Sequence, residues 1–276
     1  RVDRDDVDRD SDVGLGPLAA DHLERATVRE EHVVGRRERV PVAAPSGGML
    51  APSVEELPPE MRRAAFAARD HYPSYLGAVR ELTGVDVPLD RGGILQLVSE
   101  TDAEALRRDA PAEAEWLDAT ALADREPAFR GHHGALLHTL DGAVDNLVLM
   151  DALERAISVT ATIRRVAADV LSIDADQPSA LTPTRGRFFA TRLVLSTGAW
   201  AGSLPGLPRR IPVRPVRGQL LRLAQTPVRH VTYGAGGYLV PRADTVLVGA
   251  TSEEAGFENE TSLAGLSVLR SIALPA

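Results

Sequence analysis

The stretch ATRLVLSTGAW, residues 190–200, is where residue types and spacing first indicate binding chemistry. A short apolar run ends at Thr197 and Gly198, and Trp200 follows directly behind this corner. Because glycine has no Cβ atom, such a corner lets a nucleotide approach the backbone closely. The alternative is an ordinary strand-to-loop turn with a tryptophan in the core, which spacing alone favours.

Two other patterns suggest metal ligation, and neither has the required geometry. His132, His133 and His138 lie close together, but adjacent histidines in a strand point to opposite faces, and no carboxylate is suitably spaced. Residues 8–14, DRDSDVG, have the start of a calcium loop, but the glycine comes one position late and Ala19 replaces the final acid. We therefore expect no metal site.

Composition excludes several classes of chemistry. The net charge of −8 over 276 residues disfavours a general nucleic-acid binder. The absence of cysteine excludes disulfides, thiolate metal sites and cysteine nucleophiles, and the absence of lysine excludes Schiff-base chemistry and a P-loop lysine. No apolar run approaches the roughly 18 residues of a membrane span, and the arginine- and aspartate-rich N-terminal residues have no apolar signal region, so we expect a cytoplasmic protein.

Periodicity and capping signals predict mixed helices and strands. Helices are expected at 59–82, at 101–108 with Thr101 in a capping box, at 146–158 with Asp145 as the cap, and at 262–272 with Thr261 as the cap. Strands are expected at 92–99, 160–166, 168–174 and 187–196, followed by alternating runs after 211 that predict an antiparallel sheet. The run RLVLS, residues 192–196, has the composition of a buried parallel strand.

Six stretches in a fixed order carry a family resemblance. They are SGGMLAP (46–52), DGAVDN (141–146), RLVLSTGAWAGSLPGL (192–207), RPVRGQLLRL (214–223), YLVPR (238–242) and VGATSEEAGFENETSLAG (248–265). Their order and approximate spacing resemble the D-amino-acid oxidase class of flavoproteins, and most closely the glycine oxidases of bacterial thiamine biosynthesis. The likeness extends from about residue 46 to the end of the sequence.

The resemblance implies an α/β flavoprotein with two domains, each assembled from separate pieces of chain. An incomplete Rossmann-like FAD-binding domain is expected from residues 1–85 and 141–210. An antiparallel-sheet substrate domain is expected from residues 86–140 and 211–276. The predicted elements agree with this division, because antiparallel signals fall at 90–140 and after 211.

The resemblance also implies the positions that would contact FAD. Gly47, Gly48 and Met49 match a loop that lies against the flavin ring, where the absence of Cβ atoms lets backbone amides approach it. The remaining matches are Ile163 at the adenine end and Thr197, Gly198 and Trp200 beside the dinucleotide. An ordinary glycine turn, a core isoleucine and a core tryptophan are the simpler alternatives.

The implied substrate site contains Tyr238 and Ser252. A phenol at 238 would bind a substrate carboxylate while its ring forms a pocket wall, although a tyrosine in the core of the sheet is about equally compatible. Ser252 could equally be a solvated turn residue. Arg217 and Arg242 have the chemistry of a carboxylate clamp, but family members take that arginine from a segment that would follow Ala276, so neither receives the role.

Residues 1–44 depart from the family pattern. The family opens with a strand, a GxGxxG turn and a helix, whereas this segment offers only GLGPLA at 14–19. Residues 1–40 contain 8 arginines and 11 acidic residues without helical or strand periodicity, which is typical of a disordered or poorly packed segment. Because the segment has the expected length, a shifted reading frame restored near Pro45 would also explain it. Resequencing the coding DNA tests that hypothesis.

Three functions therefore stay open. The first is an FAD-dependent oxidase that acts on glycine or another small amine, with hydride transfer from the α-carbon to flavin N5, hydrolysis of the imine and formation of peroxide from molecular oxygen. This reaction requires no catalytic side-chain base. The second is a truncated or frame-damaged homologue without catalysis, and the third is an oxidase or dehydrogenase of sarcosine or a D-amino acid. A homo-oligomer is compatible with each.

Overall fold

The computed structural model describes residues 46–166, 168–183, 185–224, 227–234 and 236–273. The predictions made for residues 1–45, namely the atypical phosphate loop, the rejected calcium loop and the shifted frame, lie outside these ranges. The helices are α1 (Pro59–Thr83), α2 (Ala103–Arg108), α3 (Ala119–Arg125), α4 (Asn146–Val159) and α5 (Leu263–Ala273). The strands are β1 (Met49–Leu50), β2 (Leu89–Asp90), β3 (Ile94–Leu97), β4 (Ala114–Asp118), β5 (Gly134–His138), β6 (Gly142–Val144), β7 (Ser172–Asp174), β8 (Ser179–Thr182), β9 (Gly186–Phe189), β10 (Leu221–Ala224), β11 (Val231–Gly234), β12 (Gly237–Pro241) and β13 (Thr245–Gly249).

The largest sheet has seven strands in the order β10-β13-β12-β11-β3-β5-β4. Every neighbouring pair is antiparallel except β11 and β3, which run parallel. Alternate residues along each strand point to opposite faces. One face, with Leu95, Leu223 and Val248, packs against Leu269 and Ile272 of α5. The predicted antiparallel runs at 92–99 and after 211 are thus confirmed and join in a single sheet.

The opposite face of this sheet is called the site face below. It carries Ile94, Val231, Val240 and Leu247, which form a second apolar cluster with Ala51, Val54 and Ala143. Met49, Tyr233 and Tyr238 pack against that cluster. The glycine-rich loop that begins at 46 therefore lies over the site face.

A smaller sheet, in the order β1-β6-β2, carries this loop on one of its edges. Helices α1 and α4 pack beside it through an apolar cluster that includes Leu76, Val79 and Val144. The predicted helices at 59–82 and 146–158 are confirmed, and Asp145 caps α4 by accepting from the backbone N–H groups of Leu147 and Val148, both at 3.1 Å.

Several sequence predictions are wrong in detail. Residues 192–196 form no strand: Val194 is 84% exposed, and the described residues offer no strand that pairs with this run. An apolar run needs a hydrogen-bonding neighbour to become a buried strand, and its own composition cannot supply one. Residues 160–166 are likewise irregular, and only Ser172–Asp174 of the stretch 168–174 is a strand, which pairs with β8 in the antiparallel sheet β7-β8-β9.

Two predicted helix caps are shifted by one residue. Helix α2 begins after Asp102 rather than Thr101, and α5 is capped by Ser262 rather than Thr261, because the Ser262 hydroxyl accepts from Gly265 N at 3.0 Å. Among the described helices, none is both long and apolar enough to cross a membrane.

Candidate functional site

Tyr238 forms the centre of the candidate site. Its ring lies between two glycines: a Cβ atom on Gly47 would come within 2.8 Å of the ring, and one on Gly249 within 2.4 Å. Strand pairing places Tyr238 directly opposite Gly249. Burial, and then the charge of Glu55, raise the pKa of the Tyr238 phenol, so its hydroxyl stays protonated and can donate a hydrogen bond. Any larger residue at 47 or 249 would displace the ring.

Gly48 and Met49 continue the same loop beside β6. Gly48 has a φ of +64°, and a Cβ atom there would lie 2.3 Å from the carbonyl oxygen of Val144. Its own carbonyl accepts from Val144 N at 2.8 Å, and Met49 pairs with Ala143. The close approach at Gly48 is therefore to the protein's own backbone.

Arg242 fastens this loop to the neighbouring sheets. Its Nη2 donates to the carbonyl oxygens of Gly47 at 2.8 Å and Val144 at 3.1 Å, and its Nη1 donates to that of Pro241 at 3.2 Å. Burial lowers the pKa of Arg242, while the nearby Asp145 and Asp90 act in the opposite direction. A guanidinium committed to three carbonyls holds the Gly47 turn in place and is not directed at a substrate.

Arg217 is also committed to the protein. Its Nη2 lies 2.7 Å from a carboxylate oxygen of Glu253, and the two residues form an isolated β-bridge. Hydrogen bonds from Thr251, Arg217 and Gln219 lower the pKa of Glu253 to about 2. Ser252 directly precedes Glu253 in the chain and is exposed. The Nε of Arg217 is buried and lacks a hydrogen-bond partner among the described residues, but the terminal Nη2 is held by Glu253, so this guanidinium is turned toward the protein.

A buried ion pair that the sequence analysis missed anchors the far side of the loop. Asp141 is 1% exposed and accepts from Ser53 N at 3.0 Å, Ser53 Oγ at 2.9 Å and Arg69 Nη1 at 2.8 Å. The signal was present in α1, because positions 69, 72, 76 and 79 share one helical face. A charged residue on the buried face of a helix requires a partner, and Arg69 has two, the buried Asp141 and the exposed Asp70, each 2.8 Å from its guanidinium.

The second predicted corner lies in an irregular segment. Residues Gly198–Ser203 form a 3₁₀ turn, in which Gly198 has a φ of +52° and a Cβ atom would meet no described residue within 4 Å. The hydroxyl oxygen of Thr197 is buried and lacks a hydrogen-bond partner among the described residues. Trp200 stacks on Phe257 with ring centroids 5.5 Å apart. Ile163 is half exposed, and its N–H donates to Thr160 at 3.0 Å.

The structure thus brings part of the predicted set together. Gly47, Gly48, Met49 and Tyr238 meet over the site face, and Arg242 holds them there. Thr197, Gly198 and Trp200 form a separate corner, whose described ring contact is with Phe257. No described contact tests whether the two corners face a common ligand, so that remains a prediction.

Comparison with known proteins identifies the family. The sequence profile named FAD dependent oxidoreductase (DAO) matches residues 34–274, most of the chain. The chain belongs to this family. The predicted family and the α/β two-domain flavoprotein fold are therefore confirmed, as is FAD as the family's cofactor.

Individual relatives agree with this assignment. The bifunctional protein ThiO/ThiG of Synechocystis is 32% identical over 81% of this chain, which spans only 35% of that protein. The glycine oxidase of Bacillus licheniformis is 28% identical over 92% of this chain and 72% of its own length. The crystal structure of glycine oxidase from Geobacillus kaustophilus superposes with a TM-score of 0.72 at 27% identity, covering 84% of this chain and 67% of that one.

Residues 47–49 are called the first corner and residues 197–200 the second. The described residues fit a flavin dinucleotide more directly at the second corner than at the first. The unpartnered Thr197 hydroxyl beside an open glycine suits a ribose or phosphate oxygen, which would satisfy a buried polar atom. At the first corner, Gly47 and Gly48 are filled by Tyr238 and Val144, so their contribution to a ligand would come from backbone edges rather than from space.

Proposed function

We propose that this chain is part of an FAD-dependent oxidase that converts the amine of glycine, or of a similarly small amino acid, to an imine with formation of peroxide, in thiamine biosynthesis. The observation that carries the proposal is the protonated Tyr238 phenol, held between Gly47 and Gly249 on the site face. The names glycine oxidase and ThiO/ThiG among the relatives support the same reaction.

In this proposal the substrate lies over the site face. The Tyr238 hydroxyl donates to the substrate carboxylate, and the ring limits the space available to a side chain. When bound, the flavin supplies the acceptor for the hydride from the α-carbon, and molecular oxygen is the final oxidant. The role of the chain is to orient the amine, so no catalytic side chain is assigned.

The remaining site assignments are part of the same proposal. The cofactor-contacting set is Gly47, Gly48, Met49, Ile163, Thr197, Gly198 and Trp200. Ser252 joins Tyr238 on the substrate side. The domain pieces 1–85 with 141–210 and 86–140 with 211–276, the cytoplasmic location and the homo-oligomer stay predictions.

Purification of the chain tests the proposal. Flavin absorbance, with or without added FAD, and peroxide release with glycine would support it. A colourless protein that takes up no FAD would overturn it and favour the non-catalytic homologue. The order of turnover among glycine, sarcosine and D-alanine identifies the substrate, because a preference for either of the last two replaces glycine in the assignment.

A further inference from the structure

A row of three polar side chains crosses the site face. The strand register pairs Gln96 of β3 with Tyr233 of β11, and Tyr233 with Tyr238 of β12. Directly paired residues on adjacent strands point to the same face. All three side chains are half buried, so each can reach both the sheet and a ligand above it. Gln96, Tyr233 and Tyr238 are called the polar row below.

The polar row borders the apolar part of the site face. Ile94, Val231 and Val240 lie two residues from Gln96, Tyr233 and Tyr238 along the same strands and belong to the cluster beneath the 46–54 loop. Neighbouring strands are about 4.8 Å apart, which puts the backbones of Gln96 and Tyr238 about 10 Å apart. A ligand bound by Tyr238 therefore extends toward Gln96 only if it is longer than glycine.

His138 fixes the orientation of the Gln96 amide. The His138 ring is 4% exposed, and its Nε2 lies 2.9 Å from Gln96 Oε1. Since an amide oxygen only accepts, Nε2 carries the proton and donates. Burial lowers the pKa of His138 against the opposing charges of Asp141 and Glu113, which favours a neutral ring whose single N–H is used in this bond.

This bond turns the amide nitrogen of Gln96 away from His138. Among the described residues, none accepts a hydrogen bond from that nitrogen. The result is an oriented donor without a partner in the described part of the chain, on the same face as the proposed substrate phenol. A hydrogen bond from an oriented, half-buried donor contributes more binding free energy than one from a flexible surface amide, because no rotamer freedom is lost on binding.

Carboxylates near the row indicate the charge of the group that Gln96 would bind. Val54 packs in the site-face cluster, and Glu55 N donates to Ala51 O at 3.2 Å, so the loop carries Glu55 and Glu56 next to the tyrosines. After burial, the charges of these two glutamates raise the pKa of Tyr233. Glu55 also acts on Tyr238, so the hydrogen bond from that phenol has to hold the substrate's first carboxylate against this charge; a second carboxylate would add to the repulsion, whereas a neutral acceptor would not.

We propose that Gln96 is a specificity-determining residue, whose amide donates to a neutral carbonyl group carried on the amine nitrogen of an N-substituted glycine bound by Tyr238. This inference rests on the proposed function. It extends the substrate class from glycine to N-substituted glycines that bear a carboxamide.

Three achiral probes of similar shape test the inference by peroxide release from the full chain with FAD. They are N-(carbamoylmethyl)glycine, its apolar counterpart N-isobutylglycine and its acidic counterpart iminodiacetate. The expected order of kcat/KM is carboxamide, then isobutyl, then carboxylate. Gln96→Met keeps the length of the side chain and removes the donor, so it lowers kcat/KM for the carboxamide about 5- to 10-fold, mainly through KM, and leaves glycine within about twofold.

Two further variants separate recognition from structure. Gln177→Met changes an exposed glutamine in the turn between β7 and β8 and leaves all three probes unaffected. His138→Phe frees the amide to rotate, so it lowers kcat/KM for the carboxamide less than Gln96→Met does. The double variant has the same kcat/KM as Gln96→Met alone. Thermal unfolding confirms that each variant is folded.

The outcomes are distinguishable. If the unmodified chain neither retains FAD nor oxidises glycine, the proposed function fails and the role of Gln96 fails with it. If glycine is oxidised but Gln96→Met changes glycine and the carboxamide equally, or changes neither, only the role of Gln96 is overturned. A preference for iminodiacetate over the carboxamide would also contradict it.

Discussion

The two glycine corners resemble each other in the sequence and differ in the structure. At Gly48 the space where a side chain would stand is occupied by the carbonyl oxygen of Val144, and the loop is held by Arg242. At Gly198 no described residue lies near that space, and the adjacent Thr197 hydroxyl has no described partner. A glycine required by packing and a glycine beside open space thus give the same sequence signal. Substitutions distinguish them.

The largest effect is expected from Gly48→Ala. A methyl group there would clash with backbone at 2.3 Å and force a φ of +64° on a non-glycine residue. We expect a loss of about 3–5 kcal/mol in the free energy of unfolding, measured by urea denaturation. Gly198→Ala meets no described neighbour and should cost about 1–2 kcal/mol, from its backbone conformation alone. Equal losses of unfolding free energy at the two positions would contradict the difference in packing between Gly48 and Gly198.

The next effect concerns the ion pair that fastens the first corner. Asp141→Asn leaves the buried Arg69 without its full counter-charge and should cost about 3 kcal/mol in unfolding free energy. Asp86→Asn is the matched control, because the Arg80–Asp86 pair is exposed and should lose no more than about 0.5 kcal/mol. Combining Asp141→Asn with Arg69→Met should restore part of the stability, and failure to do so would argue against an uncompensated charge as the cause.

A smaller effect, confined to catalysis, is expected from Tyr238→Phe. The ring stays between Gly47 and Gly249, so the unfolding temperature should not change, while loss of the hydroxyl removes one hydrogen bond to a carboxylate. We expect kcat/KM for glycine to fall about 10- to 100-fold, which corresponds to a hydrogen bond to a charged group. Unchanged kcat/KM in a folded variant would take Tyr238 out of the substrate site.

The smallest effect is a pH dependence at the Arg217–Glu253 pair. The folded pKa of Glu253, about 2, is depressed below its ordinary value of 4.5. Its contribution to stability is therefore fully present above about pH 4.5 and is lost as the pH falls toward 2. Glu253→Gln should make the unfolding temperature less dependent on pH over this range and leave the activity at neutral pH unchanged. An acid transition of identical slope in both proteins would assign the loss to other groups.

The part of the fold that local patterns determine could be predicted. Helix α1 follows from its apolar spacing, α4 from the Asp145 cap, and β12 and β13 from alternation. The failure at RLVLS has a physical reason, because a buried strand depends on partners far away in the chain. The parallel contact of β11 with β3 could not be predicted for the same reason.

The site was predicted unevenly. The resemblance indicated Gly47, Gly48 and Tyr238, which the fold brings together, but it did not show that Tyr238 fills the space beside Gly47. The roles of Asp141 and Arg242 depend on tertiary contacts with carbonyls and hydroxyls distant in sequence, which no local spacing encodes. Arg69 on the buried face of α1 was the one readable signal.

The central claim is that the open corner at Gly198 faces the cofactor. FAD dissociation constants for Gly198→Ala and Gly186→Ala test it directly. Both glycines have positive φ, +52° and +72°, and at each a Cβ atom would meet no described residue, so the two variants should lose similar stability. We predict that Gly198→Ala raises the FAD dissociation constant about tenfold, which corresponds to the loss of one hydrogen-bonded or packed contact. Gly186→Ala should leave this constant unchanged. Equal FAD affinity in the two variants would contradict the claim.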